Sequence, residues 1–516
     1  MNRLKPLLLG TAATLVLLSA QARANDVQHV LLLSVDGLHA RDLARYTADP
    51  ANQDRALTRL ANSGAVFQNA FTTAPSDSFP GMIAQVTGGT PRSAGVYYDD
   101  SYDRTLFAPD NTTCSGDAGA EIRYAENIDR DPARLDVAVG GTLGDTLSQI
   151  DPANLPRALR DGQCVPVYPH EFIRVNTIFE VVREHGGRTA WADKHPAYEI
   201  LNGPSGVGIS DLFTPEVDTV IPGTAPSKAT ATTTGSFAAI RGNDEVKVGA
   251  VLNEIKGLDS TGQSHPGAPT VFGMNFQSVS VGQKLAASGP TDPAGLIGGY
   301  VDAAGTPGNA LRLQLDYVDG AIGRMLEGLR QEGLDRSTLV IVSAKHGQSP
   351  IDPSLRRALD DAPYTLTPGY AFHIADDVGL VWLKPQTRSA SLASAKTYLL
   401  GQSDALGIAY LFTPPQIARM FRNPAFDSRA PDFIADTDQG VVYTGGTKLA
   451  EHGGLSDDDR NAALVVAGAG VKATVVEELV FTTQIAPTIL KALELDPADL
   501  QAVRIERTRT LPGVME

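Results

Sequence analysis

The residues best suited to chemistry in this sequence are an aspartate, a serine, a lysine and two histidines, spread along most of the chain. They are Asp36 in VDGL, Ser78 in SDSFPG, Lys345 and His346 in SAKHG, and His452 in EHGG. A serine hydroxyl is a poor nucleophile at neutral pH, and a cation held against it by aspartate and histidine lowers its pKa. A lysine ammonium can stabilise an oxyanion as a point charge. These residue types favour nucleophilic attack by Ser78.

Each of these residues also has a structural interpretation. Asp36 precedes a glycine, and Asp-Gly is a common turn pair. His346 could be a hydrogen-bonded loop histidine, and Ser78 could be a turn serine close to a proline. The functional interpretation therefore depends on whether the fold brings these motifs together.

The elements that would position these residues are predicted to be alternating strands and helices. Continuous apolar runs at 27–35 and 337–343 predict fully buried strands, which end just before Asp36 and just before the loop that carries His346. A long amphipathic helix is predicted from 311 to 331. Strand, helix, strand and helix in succession predict an α/β fold with a mainly parallel central sheet flanked by helices. Ligands of such sheets gather at the carboxyl ends of the strands.

Another polar group follows a strand-like segment at 188–192. It consists of Asp193, Lys194 and His195, which we predict to be replacement ligands or substrate contacts. The alternative is a solvated loop. The acidic run Asp457 to Asp459 is predicted to be the solvated start of a helix, because acidic residues favour that end.

Four segments in order resemble the alkaline phosphatase superfamily, in its type I phosphodiesterase/nucleotide pyrophosphatase branch. They are VDGL at 35–38, SDSFPGMIAQVTGG at 76–89, SAKHGQSP at 343–350 and EHGGLSDDDRNAALVVAG at 451–468. The resemblance covers most of residues 28–496. It implies an alkaline phosphatase-like core and a hydrolase that forms a phosphoseryl intermediate on Ser78.

The resemblance also implies two zinc ions. Asp36, Ser78 and an Asp-His pair would hold one ion, and an Asp-x-x-x-His motif and a late histidine would hold the other. The residues of this chain that match these ligands are Asp36, Ser78, His346 and His452. Gly81 stands where the family usually has an asparagine that binds a phosphoryl oxygen, so it marks the substrate-binding position.

The departures from the family pattern reduce the ligand set. Lys345 replaces the aspartate of the Asp-His pair, and Gln277 and Val281 fall at the positions of the Asp-x-x-x-His motif. Zinc needs three or four nitrogen, sulfur or oxygen ligands, whereas glutamine is a weak ligand and valine is none. We therefore predict a divalent metal, zinc, as one ion or a rearranged pair. Lys345 is predicted to be a catalytic residue that supplies part of the positive charge at the site.

The N-terminus has the pattern of an exported protein. Two basic residues precede a short apolar stretch, and Ala22-Arg23-Ala24 offers a small-x-small cleavage site. We predict a signal peptide at 1–24, a periplasmic or secreted location and no membrane span after its removal; the alternative is an uncleaved anchor. Cys114 and Cys164 are the two cysteines of the chain. In an oxidising compartment they are expected to form a disulfide, with two free thiols as the alternative.

Composition restricts the partners. The net charge is −16 at pH 7, so the chain is a poor binder of nucleic acid polymers. A small phosphorylated substrate is compatible with this charge, because the local field at a site can have the opposite sign. The sequence does not indicate an oligomeric state.

Residues 25–516 are predicted to form one catalytic domain, with irregular cap insertions at about 102–170 and 350–445. The predicted function is exported, metal-dependent hydrolysis of phosphodiester or nucleotide pyrophosphate bonds. The alternatives are a phosphomonoesterase of the same fold and a degenerate member that binds an anion without turning it over. An acyl hydrolase is disfavoured because no Gly-x-Ser-x-Gly motif is present.

Overall fold

The computed structural model of this protein describes residues 27–124, 128, 146–219 and 232–514. The predicted signal peptide, residues 1–24, lies outside the described residues. Within them, no helix combines the length and apolar character needed to cross a membrane.

The strands are short, and eight of the twenty in the described residues lie in one large sheet. In chain order they are β1 (His29–Val35), β2 (Ala65–Phe67), β3 (Ala70–Phe71), β4 (Asp100–Asp103), β5 (Ala120–Arg123), β6 (Arg157–Arg160), β7 (Gln163–Pro166), β8 (Ala190–Ala192), β9 (Asp211–Phe213), β10 (Val271–Phe276), β11 (Thr338–Ser343), β12 (Arg357–Leu359), β13 (Tyr370–Ala375), β14 (Val378–Leu383), β15 (Ile408–Phe412), β16 (Phe433–Thr437), β17 (Val441–Tyr443), β18 (Leu464–Gly468), β19 (Thr474–Val476) and β20 (Val480–Phe481).

The α-helices connect these strands and cover the large sheet. They are α1 (Ala40–Ala48), α2 (Ala56–Ser63), α3 (Ser78–Thr87), α4 (Pro91–Ala94), α5 (Thr146–Gln149), α6 (Pro169–Phe172), α7 (Ile178–Glu184), α8 (Phe237–Ile255), α9 (Ser278–Lys284), α10 (Asn309–Gln331), α11 (Arg388–Gly401), α12 (Ser403–Leu406), α13 (Pro414–Met420), α14 (Asp457–Arg460), α15 (Ile485–Ala492) and α16 (Gln501–Glu506).

The large sheet has eight strands in the order β19-β2-β18-β11-β1-β10-β8-β9. The pairs from β11 through β1, β10 and β8 to β9 are parallel, whereas β18 runs antiparallel to both β11 and β2. The prediction of a mainly parallel α/β sheet flanked by helices is confirmed.

Strand β1 shows why the apolar runs are continuous. Six of its seven residues are buried, as expected for a parallel strand covered on both faces. Val30 and Leu32 belong to one hydrophobic cluster, with side chains of α3, α7 and α15. Leu31 and Leu33 belong to a second cluster on the other face, with side chains of α1, α2, α8 and α10. The alternation of neighbouring side chains thus builds a core on each side of the sheet.

The regions predicted as insertions form smaller sheets. Strands β13, β14, β16 and β15 make a four-stranded antiparallel sheet, and β4–β5 and β6–β7 pair as two-stranded antiparallel sheets. The predicted disulfide between Cys114 and Cys164 is present, with a Cα–Cα distance of 5.3 Å. The role of these regions as caps over a site stays a prediction.

The acidic run after His452 only partly matches the prediction of a solvated helix start. Asp457 is exposed at the beginning of α14, but Asp459 is 2% exposed. Its carboxylate accepts a hydrogen bond from the Ser456 hydroxyl, and Gly454 packs against it. Asp459 therefore helps to fix the loop that carries His452.

Candidate active site

Four adjacent strands bring their carboxyl ends to one edge of the sheet. In the register, Ser34 of β1 lies beside Asn275 of β10 and Ser343 of β11. Strand β8 continues this arrangement on the far side of β10. The residues that follow these strands are Asp36, Gln277, the pair Lys345–His346, and Asp193. Residues far apart in the sequence are thus neighbours because parallel strands end together.

Ser78 enters this edge from the first turn of α3. Asp77 caps the helix, because its side chain accepts a hydrogen bond from the Phe79 N–H at 3.2 Å. Ser78 is fully buried. Its Oγ lies 3.3 Å from His346 Nε2 and 3.3 Å from Lys194 Nζ, which donates to it. The N-terminus of a helix also favours negative charge, so the serine oxygen faces positive charge from two sources.

The ring of His346 is oriented by its own loop. Nδ1 lies 2.8 Å from the Gly347 carbonyl oxygen. Since a carbonyl can only accept, Nδ1 carries the proton in the neutral ring and Nε2 has a free lone pair. Burial lowers the pKa of His346 from its ordinary value, although Asp36 opposes this. The neutral ring can therefore accept the Ser78 hydroxyl proton at Nε2.

Asp36 is 1% exposed and surrounded by donors. Asn275 Nδ2 donates to its Oδ1 at 2.6 Å, and Gln277 Nε2 donates to its Oδ2. The His346 Nε2 atom is 3.7 Å from Oδ2. Burial raises the pKa of Asp36, but Lys345 and His346 outweigh burial and hold it well below its ordinary value. Asp36 is therefore a buried carboxylate whose charge is balanced by cationic and amide neighbours.

Lys345 is completely buried between two carboxylates. Its Nζ lies 3.2 Å from Asp193 Oδ1 and 3.8 Å from Asp36 Oδ2. It donates to the Tyr198 hydroxyl at 2.7 Å and lies 4.0 Å from the centre of that ring. Burial lowers the pKa of Lys345, and Asp193 and Asp36 oppose that shift. Asp193, held in place by Trp191 Nε1 at 2.8 Å, is the principal counter-ion of this lysine.

His452 lies on the other side of His346, with the two ring centres 3.9 Å apart. Burial, followed by His346 and Lys284, holds the pKa of His452 well below its ordinary value. A cavity of about 340 Å³ is lined by His452 and by basic and acidic side chains in equal number, among them Lys194, Lys284, Asp376 and Glu451. Lys194 lines this cavity and donates to Ser78 Oγ, so its ammonium connects the cavity to the serine.

The remaining predicted residues, His195 and Gly81, pack against other residues of the site. His195 packs against the rings of Phe79 and Tyr198, at centroid distances of 6.1 and 4.8 Å. A β-carbon added at Gly81 would lie 2.2 Å from the Lys345 carbonyl oxygen. Its lack of a side chain allows α3 to approach the Lys345 backbone. Substrate contacts of Gly81 and His195 stay predictions.

The donor set does not fit the two-zinc centre that the resemblance implies. His346 Nε2 lies 3.3 Å from Ser78 Oγ and 3.7 Å from Asp36 Oδ2, close to the edge of a zinc tetrahedron, about 3.4 Å. The position of the fourth ligand, however, belongs to Lys345, and an ammonium repels a metal ion. The metal-ligand role predicted for Asp36, Ser78, His346 and His452 stays a prediction.

The position of the second metal ion also lacks suitable ligands. Gln277 donates its amide nitrogen to Asp36 and could offer a metal only its weakly binding carbonyl oxygen, and Val281 has no ligand atom. Asp376, Glu451 and His452 do offer atoms within 4.8 Å of one another. Glu451, however, already pairs with Lys284 at 2.7 Å and with Lys448. Its charge is therefore balanced by lysines, as the charge of Asp36 is.

Sequence reasoning missed three side chains that organise the site. Tyr198 and Asn275 hold Lys345 and Asp36, and no sequence signal distinguishes them from ordinary core residues. Asp77 could have been found, because an aspartate just before a helical segment is a typical N-cap. Burial raises the pKa of Asp77 to about 7.

With this geometry in view, comparison with known proteins gives a family and a fold. A family model described as type I phosphodiesterase / nucleotide pyrophosphatase matches residues 30–133 and 171–459. No curated protein matches the chain.

Solved structures are similar at low sequence identity. Inactive murine ectonucleotide pyrophosphatase / phosphodiesterase 5 in complex with AMP is 13% identical, with a TM-score of 0.56, covering 91% of this chain and 96% of that one. Wild-type alkaline phosphatase PafA is 13% identical, with a TM-score of 0.58 and coverages of 95% and 99%. Human ectonucleotide pyrophosphatase / phosphodiesterase 5 is 13% identical, with a TM-score of 0.53 and coverages of 95% of this chain and 97% of that one. These likenesses show an alkaline phosphatase-like fold.

Proposed function

Because the chain belongs to the type I phosphodiesterase / nucleotide pyrophosphatase family, it is a phosphoric ester hydrolase, and we propose that it cleaves phosphodiester or nucleotide pyrophosphate bonds through a phosphoseryl intermediate on Ser78. The observation that carries this proposal is the position of Ser78 Oγ, 3.3 Å from both His346 Nε2 and Lys194 Nζ. A base and a cation on one hydroxyl are what a serine nucleophile needs.

In the first step, Ser78 Oγ attacks phosphorus and its proton passes to His346 Nε2. The Oγ–P bond forms as the bond from phosphorus to the leaving oxygen breaks. The leaving oxygen departs with the electron pair and takes a proton from water. In the second step, the hydroxide left by that water attacks phosphorus, and Oγ regains its proton from His346. The net reaction is hydrolysis of one ester or anhydride bond.

Negative charge on the phosphoryl oxygens is stabilised by groups already in place. Lys194 reaches Ser78 Oγ, Lys345 is held nearby by Asp193, and the N-terminus of α3 points at the same region. Such preorganised charges act strongly where water is excluded. Asp36 keeps Lys345 in position and stabilises the positive charge that His346 gains with the proton.

The substrate class is proposed from the family and the shape of the site. The murine neighbour was solved with AMP, which supports a small phosphorylated substrate here. PafA is an alkaline phosphatase, so a phosphomonoester is the alternative. The anion-binding alternative, without turnover, is tested by the same experiment.

Export to the periplasm or the medium is proposed from the N-terminal signal pattern alone. Members of the family are typically divalent-metal dependent. The sequence-based prediction of one or two zinc ions is not part of this mechanism, because the donors around Ser78 and His452 do not fit them, as described above.

The test compares hydrolysis of a bis-aryl phosphate, a nucleotide pyrophosphate and an aryl monophosphate by the wild-type protein and Ser78→Ala. We expect the variant to lose turnover by at least about 1,000-fold, since no other hydroxyl among the described residues is hydrogen-bonded to His346. Ser337→Ala, at the opposite end of β11, is the matched control and should retain activity. Equal rates in wild type and Ser78→Ala would rule out the phosphoseryl route, and no turnover of any ester would favour the anion-binding alternative.

A further inference from the structure

Two buried lysines occupy the region where this family holds a metal ion against its nucleophile. Lys345 is fully buried and Lys194 is 6% exposed. Lys194 follows β8 and Lys345 follows β11, and both strands end at the same edge of the sheet. Their ammonium groups therefore converge on Ser78 and Asp36. A lysine is rarely buried unless it is paired, and Lys345 is paired here.

The partners of Lys345 fix the place of its charge. Asp193 Oδ1 at 3.2 Å, Asp36 Oδ2 at 3.8 Å and the Tyr198 hydroxyl at 2.7 Å lie around Nζ. The Tyr198 ring adds a cation–π contact at 4.0 Å. The Nζ group therefore lies between two carboxylates, Asp193 and Asp36, and receives both a hydrogen-bond acceptor and a ring contact from Tyr198, so its charge is held in one place.

A divalent ion in the same place would be opposed by that charge. An ion bound to Asp36 Oδ2 at about 2 Å would lie within about 6 Å of the Lys345 ammonium, in a buried region where like charges repel strongly. Both oxygens of Asp36 already accept amide hydrogen bonds from Asn275 and Gln277. The Lys345 ammonium and a divalent ion on Asp36 therefore exclude each other.

We propose that Lys345 and Lys194 replace the nucleophile-side metal ion of this family, so that the protein hydrolyses its phosphoric ester without a divalent cation. This inference rests on the proposed function. Lys194 contacts Ser78 Oγ directly and meets the phosphoryl group at the cavity, whereas Lys345 supplies the fixed charge beside Asp36. Asp193 is the positioning residue that holds Lys345.

Metal content and chelator sensitivity of the purified protein test this directly. Divalent metals are measured by elemental mass spectrometry after dialysis against a chelator and after dialysis against zinc. Hydrolysis of the best ester is measured in both samples. We expect well under one metal ion per chain, and turnover that is unchanged by chelator and not raised by zinc.

Substitutions at position 345 sharpen the test. Lys345→Met keeps the length but removes the charge, and we expect kcat/KM to fall by about 100-fold with no gain of zinc. Lys345→Asp restores the carboxylate of the family, and we expect it to bind about one zinc per chain and to become chelator-sensitive. Lys256→Met, an exposed lysine at the end of α8, is the control. Circular dichroism and thermal unfolding check that each variant is folded.

The inference is overturned if the wild-type protein binds one zinc per chain and loses turnover to chelator, with recovery on adding zinc. Full activity of a folded Lys345→Met would also overturn it. If no ester is hydrolysed with or without metal, the proposed function fails. The metal content of wild type and Lys345→Asp then still decides whether lysine has replaced the ion.

Discussion

At the scale of single residues, the ammonium of Lys345 depends on groups from different parts of the chain. Asp193 follows β8, Asp36 follows β1, and Tyr198 lies in the turn after Asp193. The sequence identified Lys345 as a departure from a pattern, but its partners could not be read from it. An ion pair between strand ends becomes visible only once the order of the strands is known.

Another residue-scale consequence concerns pH. Burial, and then the Glu121 carboxylate, raises the pKa of Asp100 to about 9 in the folded protein, against about 3.9 in an unfolded chain. The folded state therefore keeps a proton that the unfolded chain releases. The stability from this proton is present below about pH 4 and is lost as the pH rises towards 9.

We expect Asp100→Asn to gain stability relative to wild type as the pH rises. The difference in free energy of unfolding should grow by at least about 1 kcal/mol between about pH 5 and pH 8. Urea unfolding at both pH values measures it. Asp110→Asn, an exposed aspartate in the same region, should show no such trend. A constant difference would mean that Asp100 ionises normally when folded.

At the scale of elements, the site is built by strand register. Leu32 of β1 pairs with Gly273 of β10, and the same register brings Asp36 and Gln277 to one edge. Gly273 has a φ of +159°, and a β-carbon there would lie 1.8 Å from the Leu32 carbonyl oxygen. The close approach of these two strands therefore requires glycine.

Gly273→Ala is expected to force β1 and β10 apart. We expect a loss of about 3 kcal/mol or more in the free energy of unfolding, because backbone atoms cannot move away as a flexible side chain could. Chemical denaturation measures this loss. Gly320→Ala is the control, since it lies mid-way along α10 with no atom near the added carbon, and should stabilise by about 0.5–1 kcal/mol. A tolerated Gly273→Ala would show that the register is not fixed by this contact.

The elements also show how far sequence reasoning reaches. The strands β1 and β11 could be predicted because parallel strands buried on both faces have continuous apolar runs. The antiparallel direction of β18 could not be predicted, since an apolar run does not carry direction. Asp36, Ser78 and His346 came from motifs, whereas Tyr198 and Asn275 are ordinary core residues in the sequence and act only through their neighbours in space.

At the scale of the whole molecule, the disulfide links two parts of one predicted insertion. It joins residues 50 positions apart, so it restricts the unfolded chain considerably. We expect replacement of both cysteines by serine to lower the free energy of unfolding by about 2–4 kcal/mol. Chemical denaturation without reductant is the measurement, with Ser115→Ala as the control. An unchanged midpoint would mean that packing alone holds the loop.

The net charge of −16 contrasts with the charge around the cavity. The cavity beside His452 is lined by four basic and four acidic side chains: Arg123, Lys194, Lys284, Lys448, Asp99, Asp218, Asp376 and Glu451. The local charge at this cavity is therefore close to balance, in a molecule that is strongly acidic as a whole. The same acidic exterior disfavours long nucleic acid polymers, which would need an extended basic surface.

The burial of Lys345 has a consequence outside the reaction itself. A charge on a covalent stem cannot be diluted away, captured by a competing chelator or exchanged for another transition metal that binds more tightly. If the protein is exported, as we propose, its metal supply is set by the surroundings, whereas the lysine site would be complete as soon as the chain folds. Its activity would follow its own abundance, and not the mineral content of its environment.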